Sequence, residues 1–381
     1  RAVDEGPVFV FEAGGAVGGG GAGPAEAGAG GADGGASFIE AGEADATVIQ
    51  PLRDIARYIS EEGHPSWELS DADAKVGVAL ASGGNGRYGR ISPYLQGVNA
   101  VTENISNIAA VGATPRALSD CLNYGNPEIP EQLWALEQGV KGIADAAKAI
   151  ALDGEAVPVI SGNVSLYNGG IDPSGVVCCI GVMPDAQKAI TMQLKNTGSQ
   201  LLLLGKRKDE CGGSAYYDVL EKLTQGAPDS LLGKNVPTPD FAMLSSQLKF
   251  MRDAIGSSLL LAAHDISEGG LLLALYEMTL PQRKCGGKIG LQIDIASIMD
   301  SLRIDTALFS ETGGFVLEVA SDKAAEVMKL AQGHGCTLLE LGKTVAEPSL
   351  KIVSGASQIL DLSFAKMRAV WENALSKALR K

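Results

Sequence analysis

Two apolar runs of this 381-residue chain each lead into a segment crowded with glycine, carboxamides, hydroxyls and, in the first, a carboxylate. These are Leu118-Ser119-Asp120-Cys121-Leu122-Asn123-Tyr124-Gly125-Asn126-Pro127-Glu128 and Ser161-Gly162-Asn163-Val164-Ser165-Leu166-Tyr167-Asn168. The pattern reads as two strands that run out of a core and end in polar loops. Loops of this kind bring backbone N–H groups close to phosphate oxygens while side-chain oxygens hold Mg²⁺, which takes a few oxygen ligands together with ATP phosphates. The chemistry they suit is ATP acting on a small polar substrate.

The rest of the chain frames these segments in mixed strands and helices. Val76-Gly77-Val78-Ala79-Leu80-Ala81 reads as a strand, and Leu95, Val98, Val101, Ile105 and Ile108 recur at helical spacing until Gly112 stops the run. A helix opens at Pro130, and 176–183 is a further strand. Beyond these, Leu201-Leu202-Leu203-Leu204 is a buried strand, Phe241, Leu244, Leu248, Met251 and Ile255 mark a helix face, and Phe315-Val316-Leu317-Glu318-Val319 is a strand. Ser321 is a candidate N-cap for the helix that follows. Two α+β domains in packed layers are expected, 72–185 and 186–381. Residues 1–71 read as an irregular segment, because 13–36 is almost all glycine and alanine and lacks the Lys-Ser/Thr of a P-loop.

Composition narrows the function classes. A net charge of −14 argues against a nucleic-acid or anionic-membrane surface, both of which need clustered Lys and Arg. No apolar run reaches the ~18 residues of a membrane span, and the first residues lack signal-peptide order, so a cytoplasmic site is expected. The six cysteines form no C-x-x-C pair and read as reduced and buried.

Individual residues leave alternatives open. Asp120 is a turn-forming aspartate or a ligand to ATP or its metal; Asn163 is an Asx-turn residue or an Mg²⁺ ligand. Ser165 fits a hydroxyl donating to a substrate phosphate better than a nucleophile, since His64, His264 and His334 form no triad with it. His264, Asp265 and Glu268 suit an ion-pair network or a second nucleotide or metal site. Arg87 and Arg90, set between glycines, suit a solvated turn or an anionic ligand, as does the turn from Glu210 to Ser214.

In these motifs the chain resembles the second half of the small bacterial and archaeal form of phosphoribosylformylglycinamidine synthase, in the superfamily of aminoimidazole ribonucleotide synthetase. The resemblance runs from about Val76 onward through Gly86-Arg87-Tyr88, Ser92-Pro93-Tyr94, Asn107-Ile108-Ala109-Ala110-Val111-Gly112-Ala113 and the two polar segments. It continues through His264-Asp265-Ile266-Ser267-Glu268-Gly269-Gly270, Leu308-Phe309-Ser310-Glu311 and Trp371-Glu372.

The resemblance implies tandem α+β domains, one contributing strands to a central barrel and one packed outside. It also implies an amidine-forming ligase of purine biosynthesis, converting formylglycinamide ribonucleotide with ATP, Mg²⁺ and glutamine-derived ammonia. Carried over position by position, Asp120 and Gly162 match ATP contacts, Asn163 a magnesium ligand and Ser165 a substrate contact. His264, Asp265, Glu268 and Glu311 match an auxiliary nucleotide or metal site. The implied partners are a glutamine amidotransferase subunit, a small bridging subunit and the first half of the same enzyme, which carries the family's catalytic histidines. His64 lies at the wrong distance to stand for one of them.

Overall fold

The computed structural model describes residues 37–39, 44–52, 70–152, 154–227, 230–280 and 289–379. The glycine-rich stretch 13–36 and His64 lie outside these residues. The first sheet takes β1 (Ser37–Ile39), β2 (Thr47–Ile49), β3 (Gly77–Gly83), β4 (Thr114–Asn123), β7 (Val159–Ser165) and β8 (Ser174–Met183) in the order β1-β2-β3-β8-β4-β7. Between β4 and β7 the chain adds a small hairpin, β5 (Ala151–Leu152) with β6 (Glu155–Ala156). Helices α1 (Gly86–Ile91), α2 (Pro93–Ala110) and α3 (Pro130–Ala149) belong to this layer.

Helix α2 starts where its sequence says it should. The Ser92 hydroxyl accepts the Leu95 N–H at 3.2 Å and Pro93 occupies the first turn, where no N–H is needed. It ends at Gly112, whose φ of +91° favours glycine. Its buried face, Val98, Val101, Ile105 and Ile108, packs on the inner positions Val177 and Cys179 of β8.

The second sheet runs β10-β12-β9-β13-β11-β14-β15, from β9 (Gln200–Leu204), β10 (Ala262–Asp265), β11 (Gly290–Asp294), β12 (Phe315–Val319), β13 (Leu338–Val345), β14 (Ser349–Ser354) and β15 (Ser357–Ser363). Its helices are α4 (Ala215–Leu223), α5 (Phe241–Gly256), α6 (Gly270–Glu277), α7 (Ala296–Met299), α8 (Ile304–Phe309), α9 (Ala324–Gly333) and α10 (Phe364–Leu379). The four leucines of β9 form an unbroken apolar run because both faces are covered. Leu202 and Leu204 join the core shared with α5 and α2, while Leu201 and Leu203 join a second core beneath α6. That shared core, with Phe250, Met251 and Ile255 of α5 beside Ile108 and Val111, welds the two layers together.

Three expectations are corrected. The segment 1–71 is not wholly irregular: β2 pairs with β3 through Thr47↔Leu80 and Ile49↔Val78, with Val48 buried. The two polar segments are mostly strand rather than loop, since Asp120↔Gly162 and Asn123↔Ser165 are register partners in the parallel β4–β7 pair. Ser321 does not cap α9; its hydroxyl donates to the Gly198 carbonyl at 2.6 Å, and the helix begins after Lys323. Among the described residues the first sheet is open by itself, with Val159, Ile160 and Val164 of its edge strand β7 exposed, as expected of strands that would contribute to a barrel only together with a further unit. No helix among the described residues is long and apolar enough to cross a membrane. Cys121, Cys178, Cys179, Cys211 and Cys336 are free thiols.

Candidate functional site

The predicted residues fall into two groups. Asp120, Gly162, Asn163 and Ser165 lie together on β4 and β7. Burial pushes the Asp120 carboxyl above its usual range, as expected for a carboxylate partly withdrawn from water. Asn163 is exposed in an extended strand opposite Cys121, which removes the Asx-turn alternative. Ser165 shares a hydroxyl–carboxamide contact with Asn168, whose Nδ2 donates to the Tyr124 carbonyl at 3.1 Å and so pins the end of the segment.

Gly162 is fixed by its neighbour. A Cβ there would sit 2.2 Å from Asp120 Oδ1 and 2.8 Å from its Cγ. Gly162→Ala is therefore expected to swing the Asp120 carboxylate away at a stability cost of about 1–3 kcal/mol. Thermal melting together with ATP titration checks this, and an unchanged ATP affinity would show that the Asp120 position is unimportant.

The second group lies at an interdomain cavity of about 340 Å³. One wall is the face of α2 carrying Asn99, Thr102, Glu103 and Ser106; the opposite wall is Met243, Leu244 and Gln247 of α5. The floor is made by the ends of β9, β10 and β12, through Gly205, Asp265 and Gly314, and Glu268 and Glu311 complete the acidic part. Burial, then the Glu268 and Glu311 carboxylates, pushes Glu103 up to about 7. Glu311 is internally satisfied: it accepts the Tyr88 hydroxyl at 2.5 Å and the N–H groups of Ala215 at 2.8 Å and Gly269 at 2.9 Å. It works first as a tie between α1, α4 and the 269 turn.

His264 points away from the cavity lining. Its Nδ1 lies 2.5 Å from Asp45 Oδ1 and its Nε2 lies 3.1 Å from Glu277 Oε2. Burial alone would lower its pKa, but Asp45, Glu277 and Asp265 overcome that and raise it well above the usual histidine value. The raised pKa favours the protonated ring, in which both N–H groups donate to carboxylates, to Asp45 and to Glu277. Asp45 also accepts the Asp265 N–H at 2.9 Å through Oδ2. Burial and then Asp45 raise the Asp265 carboxyl.

Asp45, His264 and Asp265 place potential ligand atoms within 4.8 Å of one another. With the histidine protonated, the oxygens of Asp45 and Asp265 fit a hard cation such as Mg²⁺, whose charge would relieve their crowding.

Sequence reasoning missed Asp45, Glu103 and Gln247. Asp45 offered one signal, its place just before the apolar Ala46-Thr47-Val48-Ile49 run. Arg87 and Arg90 were open candidates for an anion, but they pair with Asp218 at 2.7 Å and Asp172 at 2.6 Å. Glu210 accepts from the Thr312 hydroxyl at 2.7 Å and the Thr238 N–H at 3.2 Å, which makes its turn a scaffold for the cavity wall.

Two sheets of this order, each flanked by helices and joined over a polar cavity, match a known pair of domains. Residues 68–183 match the family model for the AIR synthase related protein N-terminal domain, and 196–355 the model for its C-terminal domain. The chain belongs to the AIR synthase related family. The phosphoribosylformylglycinamidine synthase subunit PurL of Methanothrix thermoacetophila is 38% identical over 351 residues, covering 90% of this chain and 41% of the relative.

Thermotoga maritima PurL complexed with FGAR superposes with a TM-score of 0.65 at 19% identity, over 79% of this chain and 46% of that one. Other structures of the T. maritima protein are a complex with ATP (TM-score 0.59, 17% identity, 78% and 44% covered) and the PurLQS assembly (0.59, 18%, 76% and 44%). The protein tt0281 of Thermus thermophilus aligns with a TM-score of 0.51 at 15% identity, over 80% of this chain and 97% of its own. These structural likenesses establish the tandem-domain fold. The chain spans about two fifths of the length of the curated PurL relative.

Proposed function

We propose that this chain is the second repeat of a phosphoribosylformylglycinamidine synthase acting in purine biosynthesis. In that reaction the γ-phosphoryl group of ATP moves to the formamide oxygen of formylglycinamide ribonucleotide. Ammonia adds at the same carbon, and the C–O bond breaks with phosphate as the leaving group. The observation that carries the reading is the register of β4 and β7. It sets Asp120 beside Gly162 and lines up Asn163 and Ser165 on an open, exposed sheet edge that a further unit of the fold would cover.

In this reading Asp120 and the Gly162 backbone meet ATP, Asn163 supplies an oxygen to Mg²⁺ and the Ser165 hydroxyl donates to the substrate. Bound Mg²⁺ supplies the charge that offsets the phosphoryl oxygens. The interdomain cavity takes a second Mg-nucleotide, with Asp45, Asp265 and Glu103 toward the metal and with Glu268 and Glu311 shaping the pocket. The first half of the enzyme, a glutamine amidotransferase subunit and a small bridging subunit complete the assembly, in the cytoplasm. The FGAR and ATP complexes of T. maritima PurL and its PurLQS assembly support these choices.

The test is amidine formation from formylglycinamide ribonucleotide, Mg-ATP and ammonium chloride, using this chain together with the remainder of the synthase. Asn163→Ala is expected to lower the rate by about a hundredfold or more, and the chain by itself should turn over nothing. Full activity of the variant, or turnover by the chain alone, would sink the proposal.

A second reading is favoured by one observation, that tt0281 of T. thermophilus aligns over 97% of its own length. A single unit of this fold then serves as a homodimeric synthetase or kinase whose partner covers the β7 edge. Light scattering that gives only monomer excludes it.

A further inference from the structure

One aromatic residue of the β4–β7 edge is held in a conformation that its own side chain opposes. Tyr167 has a φ of +61° and is 61% exposed. A left-handed backbone crowds the Cβ of an L residue, and a bulky residue there is an outlier that the surrounding structure has to enforce. Asn168, Gly169 and Gly170 follow directly, residue types that take positive φ at little cost. The strained position nonetheless falls on the tyrosine, whose side chain makes no hydrogen bond or ring contact among the described residues.

The neighbours that enforce it form a shelf at the ends of both strands. The Tyr167 N–H donates to the Gly125 carbonyl at 3.0 Å, and the Tyr124 N–H to the Ser165 carbonyl at 3.0 Å. The Asn168 carboxamide ties the turn from the other side, donating to the Ser165 carbonyl at 3.0 Å and the Tyr124 carbonyl at 3.1 Å. Tyr124 anchors the shelf: it is buried, and it lies so close to α3 that a Cβ on Gly139 would overlap its hydroxyl. Just past the shelf the space is open, since a Cβ on Gly169 or Gly170 would meet nothing within 4 Å. An aromatic residue fixed at its backbone and bare at its surface loses little freedom on meeting a ligand.

We infer that Tyr167 holds the ribose 5-phosphate end of the substrate, its hydroxyl donating to a phosphate oxygen and its ring covering the sugar. This rests on the reading of the β4–β7 edge as a synthase site. Strand residues are spaced by about 3.3 Å, so Ser165 stands about 7 Å from Asn163, and Tyr167 lies within about 7 Å of Ser165. The reacting formamide has to lie by the metal, at Asn163, which leaves the other end of a ribonucleotide for the residues from Ser165 onward. Neither polar segment, 118–128 or 161–168, contains a lysine or an arginine. On this chain the phosphate charge is therefore met by neutral donors. A phenol adds to the Ser165 hydroxyl a second O–H at its tip, with an apolar face behind it. Hydrogen bonds to an ionised oxygen are the stronger kind, so one such donor has a measurable effect.

The experiment is initial-rate kinetics of amidine formation with ammonium chloride, using this chain with the remainder of the synthase and the variants Tyr167→Gly, Tyr167→Phe and Ser165→Ala. Glycine takes a φ of +61° without strain, so Tyr167→Gly should melt no lower than the wild type. It should still raise KM for formylglycinamide ribonucleotide by about tenfold to a hundredfold, with KM for ATP within about twofold of wild type. Ribose 5-phosphate, added as a competitive inhibitor, should weaken by the same factor. Tyr167→Phe keeps the ring and loses the hydroxyl, and should raise the substrate KM by about tenfold. An unchanged substrate KM in Tyr167→Gly, a Tyr167→Phe variant equal to the wild type, or a rise of both KM values together overturns the inference. So does a Tyr167→Gly chain that no longer assembles with the remainder of the synthase, which would make the ring an interface residue. If Ser165→Ala raises the substrate KM where Tyr167→Gly does not, the inference falls and the site reading stands. If neither variant moves it, the reading of the β4–β7 edge as the substrate site falls as well.

Discussion

Replacing His264 with leucine is expected to lower the unfolding free energy by about 3–5 kcal/mol, the usual cost of removing one partner from a buried ion pair. The imidazolium donates to Asp45 at 2.5 Å and to Glu277 at 3.1 Å, and its own side chain is buried. Without it, Asp45 and Asp265 face each other as crowded carboxylates with only the Asp265 N–H to hold Asp45 Oδ2. Urea denaturation measures the loss. Mg²⁺ supplies an arm that a simple packing defect lacks: the variant should regain more stability from added Mg²⁺ than the wild type does, because a divalent cation replaces the missing positive charge. A loss below about 1 kcal/mol, or a Mg²⁺ response equal to that of the wild type, would mean that the carboxylates do not depend on the histidine.

That network also shows where reading the chain by pattern stops. Asp45 and His264 are 219 residues apart, and neither period nor composition links them. Asp45 follows a glycine-rich stretch and reads as part of an irregular segment. Only the β2–β3 pairing, which buries Val48 between flanking positions, carries it to the second domain.

The apolar elements were legible for a plain reason. Leu201 to Leu204 and the Val98, Val101, Ile105, Ile108 stripe are buried by the rule that generates their spacing. The β4 and β7 strands were less so, because β7 is an edge strand whose residues lose apolar alternation where no layer covers them, and the parallel pairing of β4 with β7 is a long-range fact. From the residues alone, Asp120, Asn163 and Ser165 remained ambiguous; the resemblance supplied their roles, and the register explains why such residues lie together.

Gly142→Ala is expected to cost about 3 kcal/mol, the upper end of the usual range for overpacking. Helices α2 and α3 cross through glycines. A Cβ on Gly142 would lie 2.0 Å from the Tyr94 carbonyl oxygen and 3.1 Å from the Val98 nitrogen, and one on Gly97 would lie 2.3 Å from the Gly139 carbonyl oxygen. Every atom met is backbone, so no rotamer change makes room and the helices have to part. Parting them loosens the packing of Val98, Val101 and Ile105 against Ile143, Ala146 and Ala147. It also moves the wall of the cavity, since α2 carries Asn99, Thr102, Glu103 and Ser106.

Gly142→Ala should therefore weaken Mg-ATP binding in the cavity as well as stability, although the helix it sits on does not line that site. Gly169→Ala is the control. Nothing lies within 4 Å of its added Cβ, and its stability should stay within about 0.5 kcal/mol of wild type. If urea titration finds Gly142→Ala as stable as this control, close backbone contact does not set the α2–α3 crossing. The cavity wall would then be held by the second domain alone, through contacts such as the Asn99–Pro237 hydrogen bond.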